Sequence, residues 1–189
     1  MSIISVAHEC VVLDACCVIN LYASGHMADI LASLDRSVAV AGYVRDAEAR
    51  YVRGRIADGV QEPKQPINLQ PFIEQGSLSI VDADTDAEQV DYLNFAAGIG
   101  HDGEAISAAI ARHRNWALAI DDIQARLFLA PRMPHIQFAT TPELVKQWAD
   151  SGNIPDTIVR SVLRDIQARG NYRPGRAEPL SNWWRSLAR

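Results

Sequence analysis

Short continuous apolar runs alternate along the chain with longer stretches of helical spacing. Val11, Val12 and Leu13 form an unbroken apolar run, the pattern of a strand covered on both faces. "VINLYASGHMADILASL" (18–34) places Ile19, Leu21, Tyr22, Ile30, Leu31 and Leu34 at helical spacing and predicts one or two helical pieces. "SVAVAG" (37–42) predicts a second strand, and "YVRDAEARYVRGRIADG" (43–59) a helix ending at Gly59. "VQEPKQPINLQP" (60–71) holds three prolines and predicts a loop. "LSIVDA" (78–83) predicts a third strand. "DTDAEQVDYLNFAAGIG" (84–100) predicts a helix capped by Asp84 or Thr85, and "DGEAISAAIARHR" (102–114) an alanine-rich one.

"WALAID" (116–121) reads as another buried strand and "HIQFA" (135–139) as a short last one. In "TTPELVKQWAD" (140–150), Thr140 precedes Glu143 by three residues with Pro142 in the first turn, a capping box. "PDTIVRSVLRDIQARG" (155–170) predicts a helix with Gly170 as its C-cap, and "NYRPGRAEPLSNWW" (171–184) an irregular segment. Strands alternating with helices imply an α/β fold with a central, mainly parallel sheet. In such sheets ligands bind beyond the carboxyl ends of the strands.

That rule directs attention to four acidic places. Asp14 ends one buried strand, and the neighbouring pair Asp121 and Asp122 ends another. Glu48 lies on the predicted helix stripe of Val44, Ala47, Tyr51 and Val52, whereas Asp46 can pair with Arg50 on the outer face. Glu104 opens the helix after "HDG". Each has a structural alternative. Asp14 can cap the helix beginning near Val18, and Glu48 can be a boundary residue. Glu104 suits the positive end of a helix, which Asp102 can cap, and one of Asp121 and Asp122 can cap the next helix. If the four converge, mutual repulsion raises their pKa values and divalent cations relieve it; Mg²⁺ and Mn²⁺ favour carboxylate oxygens. A carboxylate-held metal site suits phosphodiester hydrolysis. No C-x-x-C or H-E-x-x-H motif competes, and His101 reads as a loop histidine.

Four stretches resemble the PIN domain, the nuclease fold of VapC-type toxins in toxin–antitoxin systems. They are "VVLDACCVINLYASG", "VAVAGYVRDAEARYV", "DGEAISAAIARHRNWALAIDDIQAR" and "HIQFATTPELV", together spanning about residues 8–148. The resemblance implies a three-layer α/β/α fold with helices flanking the sheet. It implies catalytic roles for Asp14, Glu48, Glu104 and Asp121, and metal binding by Asp14, Glu104, Asp121 and Asp122. Mg²⁺ or Mn²⁺ would be the cofactor, RNA the substrate, and a small antitoxin and a second copy of the chain the partners. The chain departs from the pattern at Cys16, where many members carry a small hydroxyl residue. It departs again at Ala119 and Ile120, where many carry threonine. An inactive PIN-fold module that binds RNA or a protein is the alternative.

Two other acidic-pocket folds fit less well. A phospho-acceptor receiver domain has its paired acids after the first strand and a lysine after a later one. Here Asp121-Asp122 come late and Lys146 falls in a helix pattern. A haloacid-dehalogenase-like phosphatase needs an aspartate two residues after Asp14, where Cys16 stands.

Composition refines this picture. The 189 residues are 48% hydrophobic and 22% charged, ordinary for a globular chain. Residues 151–189 hold seven arginines against three acids, +4, which leaves −9 for residues 1–150 of the net −5. The expected organisation is a nuclease-like domain over 1–150 and a helical extension with a basic tail over 151–189. The tail can contact phosphates or form a solvated face, and Trp183 and Trp184 can stack on bases or pack back on the domain. The three cysteines (Cys10, Cys16, Cys17) are clustered, so no disulfide framework is expected. With no basic signal start and no apolar run near the roughly 20 residues of a membrane helix, a cytoplasmic chain without membrane association is expected.

Overall fold

The computed structural model describes residue 3, residues 7–57 and residues 60–189. The elements run β1 Cys10–Leu13, α1 Ala15–Ala23, α2 Met27–Ala32, β2 Ser37–Ala41, a π-helical turn Val44–Glu48, β3 Tyr51–Val52, β4 Ile56–Ala57, β5 Val60–Gln61, β6 Gln65–Pro66 and α3 Gln70–Glu74. Then come β7 Ser79–Val81, α4 Asp86–Ile99, α5 Asp102–Arg114, β8 Ala117–Ala119, α6 Ile123–Leu129, β9 Phe138–Ala139, α7 Thr141–Ser151 and α8 Asp156–Asp165. A second π-helical turn Ile166–Gly170 and α9 Ser181–Leu187 complete the chain.

The fold is α/β. Five parallel strands lie in the order β7-β2-β1-β8-β9, flanked by helices. β1 and β8 are central and wholly buried, which accounts for their unbroken apolar sequences. Leu13 pairs with Ala119, and Asp14 N–H extends the ladder by donating to Ala119 O at 3.0 Å. Strand order runs outward from β1 through β2 to β7, then reverses to β8 and β9 on the other side. The gap beyond β1 and β8 is therefore the topological switch point, where parallel sheets open a crevice. Alanines pack one face of this centre. Ala105, Ala108, Ala109 and Ala111 of α5 are fully buried, and α5 touches β1, β2 and β8.

Several expectations change. The predicted helix over 43–59 stops at Glu48, where Ala49 N–H donates to Val44 O, a π-type bond. Beyond it, Tyr51-Val52 pairs with Gln65-Pro66 as an antiparallel ribbon, and Ile56-Ala57 pairs with Val60-Gln61. β-branched and aromatic residues suit that extended pairing better than a helix. Gly59 lies outside the described residues. The predicted loop over 60–71 thus contributes two short strands and the start of α3.

Thr85, not Asp84, caps α4, in a capping box with Glu88; Thr140 and Glu143 form the expected box on α7. Asp102 does not cap α5 but is its first residue; His101 holds the cap position without a side-chain bond. Gly170 is not a C-cap either. The helix continues through it, and Asn171, left-handed at φ 56°, ends the turn. The segment expected to be irregular contains α9, and Trp184 packs back with 1% of its surface exposed.

Residues beyond 150 share the main core. Val159, Val162, Leu163, Ile166 and Trp184 belong to the same buried cluster as β1 and β8. No helix among the described residues is long and apolar enough to cross a membrane. Because Leu163 is fully buried in that cluster, Leu163→Ala is expected to lower the stability of the whole chain by about 2–5 kcal/mol. Urea unfolding should show this as one shifted transition; a separate early transition would mark the extension as an independent unit.

Candidate functional site

The site begins with Asp14, at the end of β1 and at the N-cap of α1. Its side chain has no exposed surface. Oδ1 accepts from Cys17 N–H at 2.8 Å, so the capping alternative is real. Oδ2 is buried, with no donor among the described residues. Burial, then the charge of Asp121, and more weakly that of Glu104, push its pKa well above the usual carboxylate range; the Cys17 bond opposes them.

Asp121 follows β8 across the switch point. Oδ1 accepts from Thr141 N–H at 2.8 Å, and Oδ2 from the Thr141 hydroxyl at 2.6 Å and the Asn20 amide at 3.0 Å. The Tyr172 phenol lies near enough to this carboxylate to favour its charged form. Desolvation raises its pKa and these bonds lower it, with the net shift upward. Asp122 is the member of the pair that caps the next helix, accepting from Ala125 N–H at 2.8 Å.

Glu104 stands in the first turn of α5, partly exposed, with Oε2 buried and without a partner among the described residues. Its pKa is raised by desolvation first, then by Asp122 and Glu48, against His101. Glu48 reaches the same place from the π-helical turn, accepting from Gly103 N–H at 3.0 Å. A Cβ at position 103 would stand 1.9 Å from Glu48 Oε2, so glycine leaves the space that the carboxylate occupies. The stripe expected to carry Glu48 does not form, since Ala47 is exposed and Tyr51 is 48% exposed in a strand. Asp46 pairs with Arg45, not Arg50.

Charge coupling links the five acids at the carboxyl edge of the central strands, Asp14 with Asp121 and Glu104, and Glu104 with Asp122 and Glu48. Cys16 keeps exposed surface beside them, and partial desolvation of its thiol, then the charges of Asp14, Asp121, Glu104 and Asp122, push its pKa up. All three cysteines are free. The donor set is hard oxygen, suited to Mg²⁺ or Mn²⁺. Among the described residues no group of three or more His, Cys, Asp or Glu side chains is drawn together tightly enough to hold a metal ion. The edge offers candidate ligands, not a preformed cage.

Sequence reasoning missed Asn20 and Thr141, which hold Asp121, and Tyr172, which acts on its charge. Asn20 carried a signal as a polar residue inside the apolar α1 pattern, and it is 2% exposed. Thr141 adjoins a capping box that explained it otherwise, and Tyr172 lay in a segment without pattern. Gly170 supports Asn20, because a Cβ there would come 2.5 Å from Asn20 Oδ1. Comparison with protein-family models, curated proteins and solved structures finds no match to the chain.

Two outcomes follow from this geometry. The folded state binds the Asp14 proton more tightly than the unfolded chain, so this contribution is full below about pH 4 and is lost as pH rises toward the folded-state pKa. Asp14→Asn keeps an acceptor for the cap and removes the charge. Its Tm advantage over the parent, without divalent ions, should therefore grow between pH 5 and pH 8, while Asp14→Ala should lose the cap, about 1 kcal/mol. Gly103→Ala should keep stability within about 1 kcal/mol, because the helix gains from alanine and the end of Glu48 can move. A crystal structure of that variant should show Glu48 off the Gly103 N–H.

Proposed function

We propose that the chain is a metal-dependent endoribonuclease of the PIN-domain type that hydrolyses RNA phosphodiester bonds and serves as the toxin of a toxin–antitoxin pair in the cytoplasm. The observation that carries the reading is the pair of buried, unpartnered oxygens, Asp14 Oδ2 and Glu104 Oε2, at the switch point beside Asp121. Burying carboxylates without donors is costly unless a cation or a proton neutralises them. Asp14, Glu104, Asp121 and Asp122 would hold Mg²⁺ or Mn²⁺. When bound, such an ion supplies positive charge for phosphate oxygens and acidifies water. Mg²⁺ commonly takes one or two carboxylates and keeps several waters, so an edge without three gathered ligands still suits it.

The chain's own groups orient this edge. Thr141 and Asn20 fix both oxygens of Asp121. The Thr141 hydroxyl provides from another segment what Cys16, Ala119 and Ile120 lack. Gly103 N–H fixes Glu48, and desolvation keeps a proton on Glu104 more tightly than in water. RNA is the substrate, with a small antitoxin and a second copy of the chain as partners.

One observation favours a second reading, a PIN-fold module that binds without cleaving. Asp14 Oδ1, Asp122 Oδ1 and Glu48 Oε1 already accept backbone N–H groups. Asp121 is likewise occupied, and no three ligands are gathered among the described residues. The two readings part in one experiment. Under the nuclease reading, Mg²⁺ or Mn²⁺ at about 100 times its Kd stabilises the parent by about 2.7 kcal/mol and RNA is cut. Both effects disappear in Asp14→Asn and Glu104→Gln. RNA that is bound but left whole with either metal selects the binding module.

A further inference from the structure

The seven arginines of residues 151–189 fall into different roles. Arg169 is buried, donating to Ala23 O at 2.8 Å and Gln65 Oε1 at 2.9 Å. Arg160 donates to Leu187 O, and Arg164 to Ala188 O and Arg189 O. These three are structural. Of the other four, Arg173, Arg185 and Arg189 line one cavity of about 310 Å³, together with Gln167 and Trp184. Their guanidiniums have no hydrogen-bond or ion-pair partner among the described residues. Among the described residues no Asp or Glu side chain lines the cavity; Glu178 is held by Arg126, and Asp165 by Arg55 at 3.3 Å.

Trp184 adds an independent observation. It is 1% exposed, yet its Nε1–H is buried with no acceptor. An indole N–H only donates, and a guanidinium has no acceptor at all. The wall is therefore cationic and rich in donors, and its Trp184 carries a buried N–H with no acceptor among the described residues. Guanidinium forks match phosphate oxygens bidentately.

We infer that this cavity is a phosphate-binding subsite that holds the backbone of an RNA strand next to the acidic edge. The inference rests on RNA being the substrate. Trp184 packs edge-on against Tyr172, ring centroids 5.8 Å apart, and the Tyr172 phenol and Asp121 are near enough to act on each other's charge. The cavity wall and the acidic edge thus share one aromatic link. Contacts of this kind position a strand without reading its bases.

The test uses the full chain in EDTA, so that binding is separated from cleavage, with labelled single-stranded RNA followed by fluorescence anisotropy from about 50 to 200 mM salt. Arg173 and Arg185 are exposed, so the double variant Arg173→Ala/Arg185→Ala should keep the parent Tm. It should bind more weakly at every salt concentration. Its plot of log affinity against log salt should be shallower by about 0.7 for each phosphate that is no longer neutralised, about 1.4 in all. Unchanged affinity and slope would overturn the subsite. Inorganic phosphate is titrated in parallel, read by tryptophan fluorescence. A phosphate response abolished in the double variant while RNA binding stays the same would make this a free-phosphate site and overturn the RNA assignment. An acidic peptide whose binding alone depends on the two arginines would overturn it in favour of a protein partner. RNA bound through these arginines but never cut with Mg²⁺ or Mn²⁺ would remove the nuclease reading and leave the subsite standing.

Discussion

Asp14 sits with no exposed surface where the order of the parallel strands reverses, and only one of its two oxygens has a donor. That constraint governs the edge around it. A desolvated carboxylate beside a second one, Asp121, can stay charged only if positive charge arrives, and otherwise keeps its proton. The cap bond from Cys17 fixes the carboxylate in place but cannot neutralise it. Helix capping and candidate ligation are therefore two uses of one side chain, divided between its oxygens.

The rest of the edge is arranged around this charge by residues far apart in sequence. Thr141 and Asn20 fix Asp121 from α7 and α1, and Gly103 fixes Glu48 from the first turn of α5. The C-terminal segment takes part as well. Gly170 leaves room for Asn20, Arg169 ties the second π-helical turn to the end of α1, and the Tyr172 phenol favours the charged form of Asp121. A segment that composition marks mainly as basic is thus also a brace for the acidic edge. Only some of its arginines are left to meet a ligand.

Reading Glu48 from the sequence shows how an expectation can reach the right place by the wrong route. Helical periodicity put it on an apolar stripe with Tyr51 and Val52, but those two residues pair as a strand. Glu48 faces the edge because a π-type turn ends there and the backbone at Gly103 comes close. Periodicity carried no information about that approach. The same limit applies to Gly170. A glycine at the end of a helical pattern reads as a cap, whereas its role is to make room for a side chain about 150 positions earlier.

The sequence alone determined the α/β class, the five main strands and the capping box on α7, because these depend on local apolar runs, turn residues and short-range hydrogen bonds. It also marked Asp14 as anomalous, since a charge ending an apolar strand stands out whatever the fold. Tertiary structure decided what those features do. It joined β1 to β8 at the reversal, brought the charge of Asp121 to bear on Asp14, left Asp14 Oδ2 and Glu104 Oε2 without donors among the described residues, and bonded Asn20 to Asp121. Desolvation and charge coupling depend on distances in space, and local pattern along a chain does not encode them.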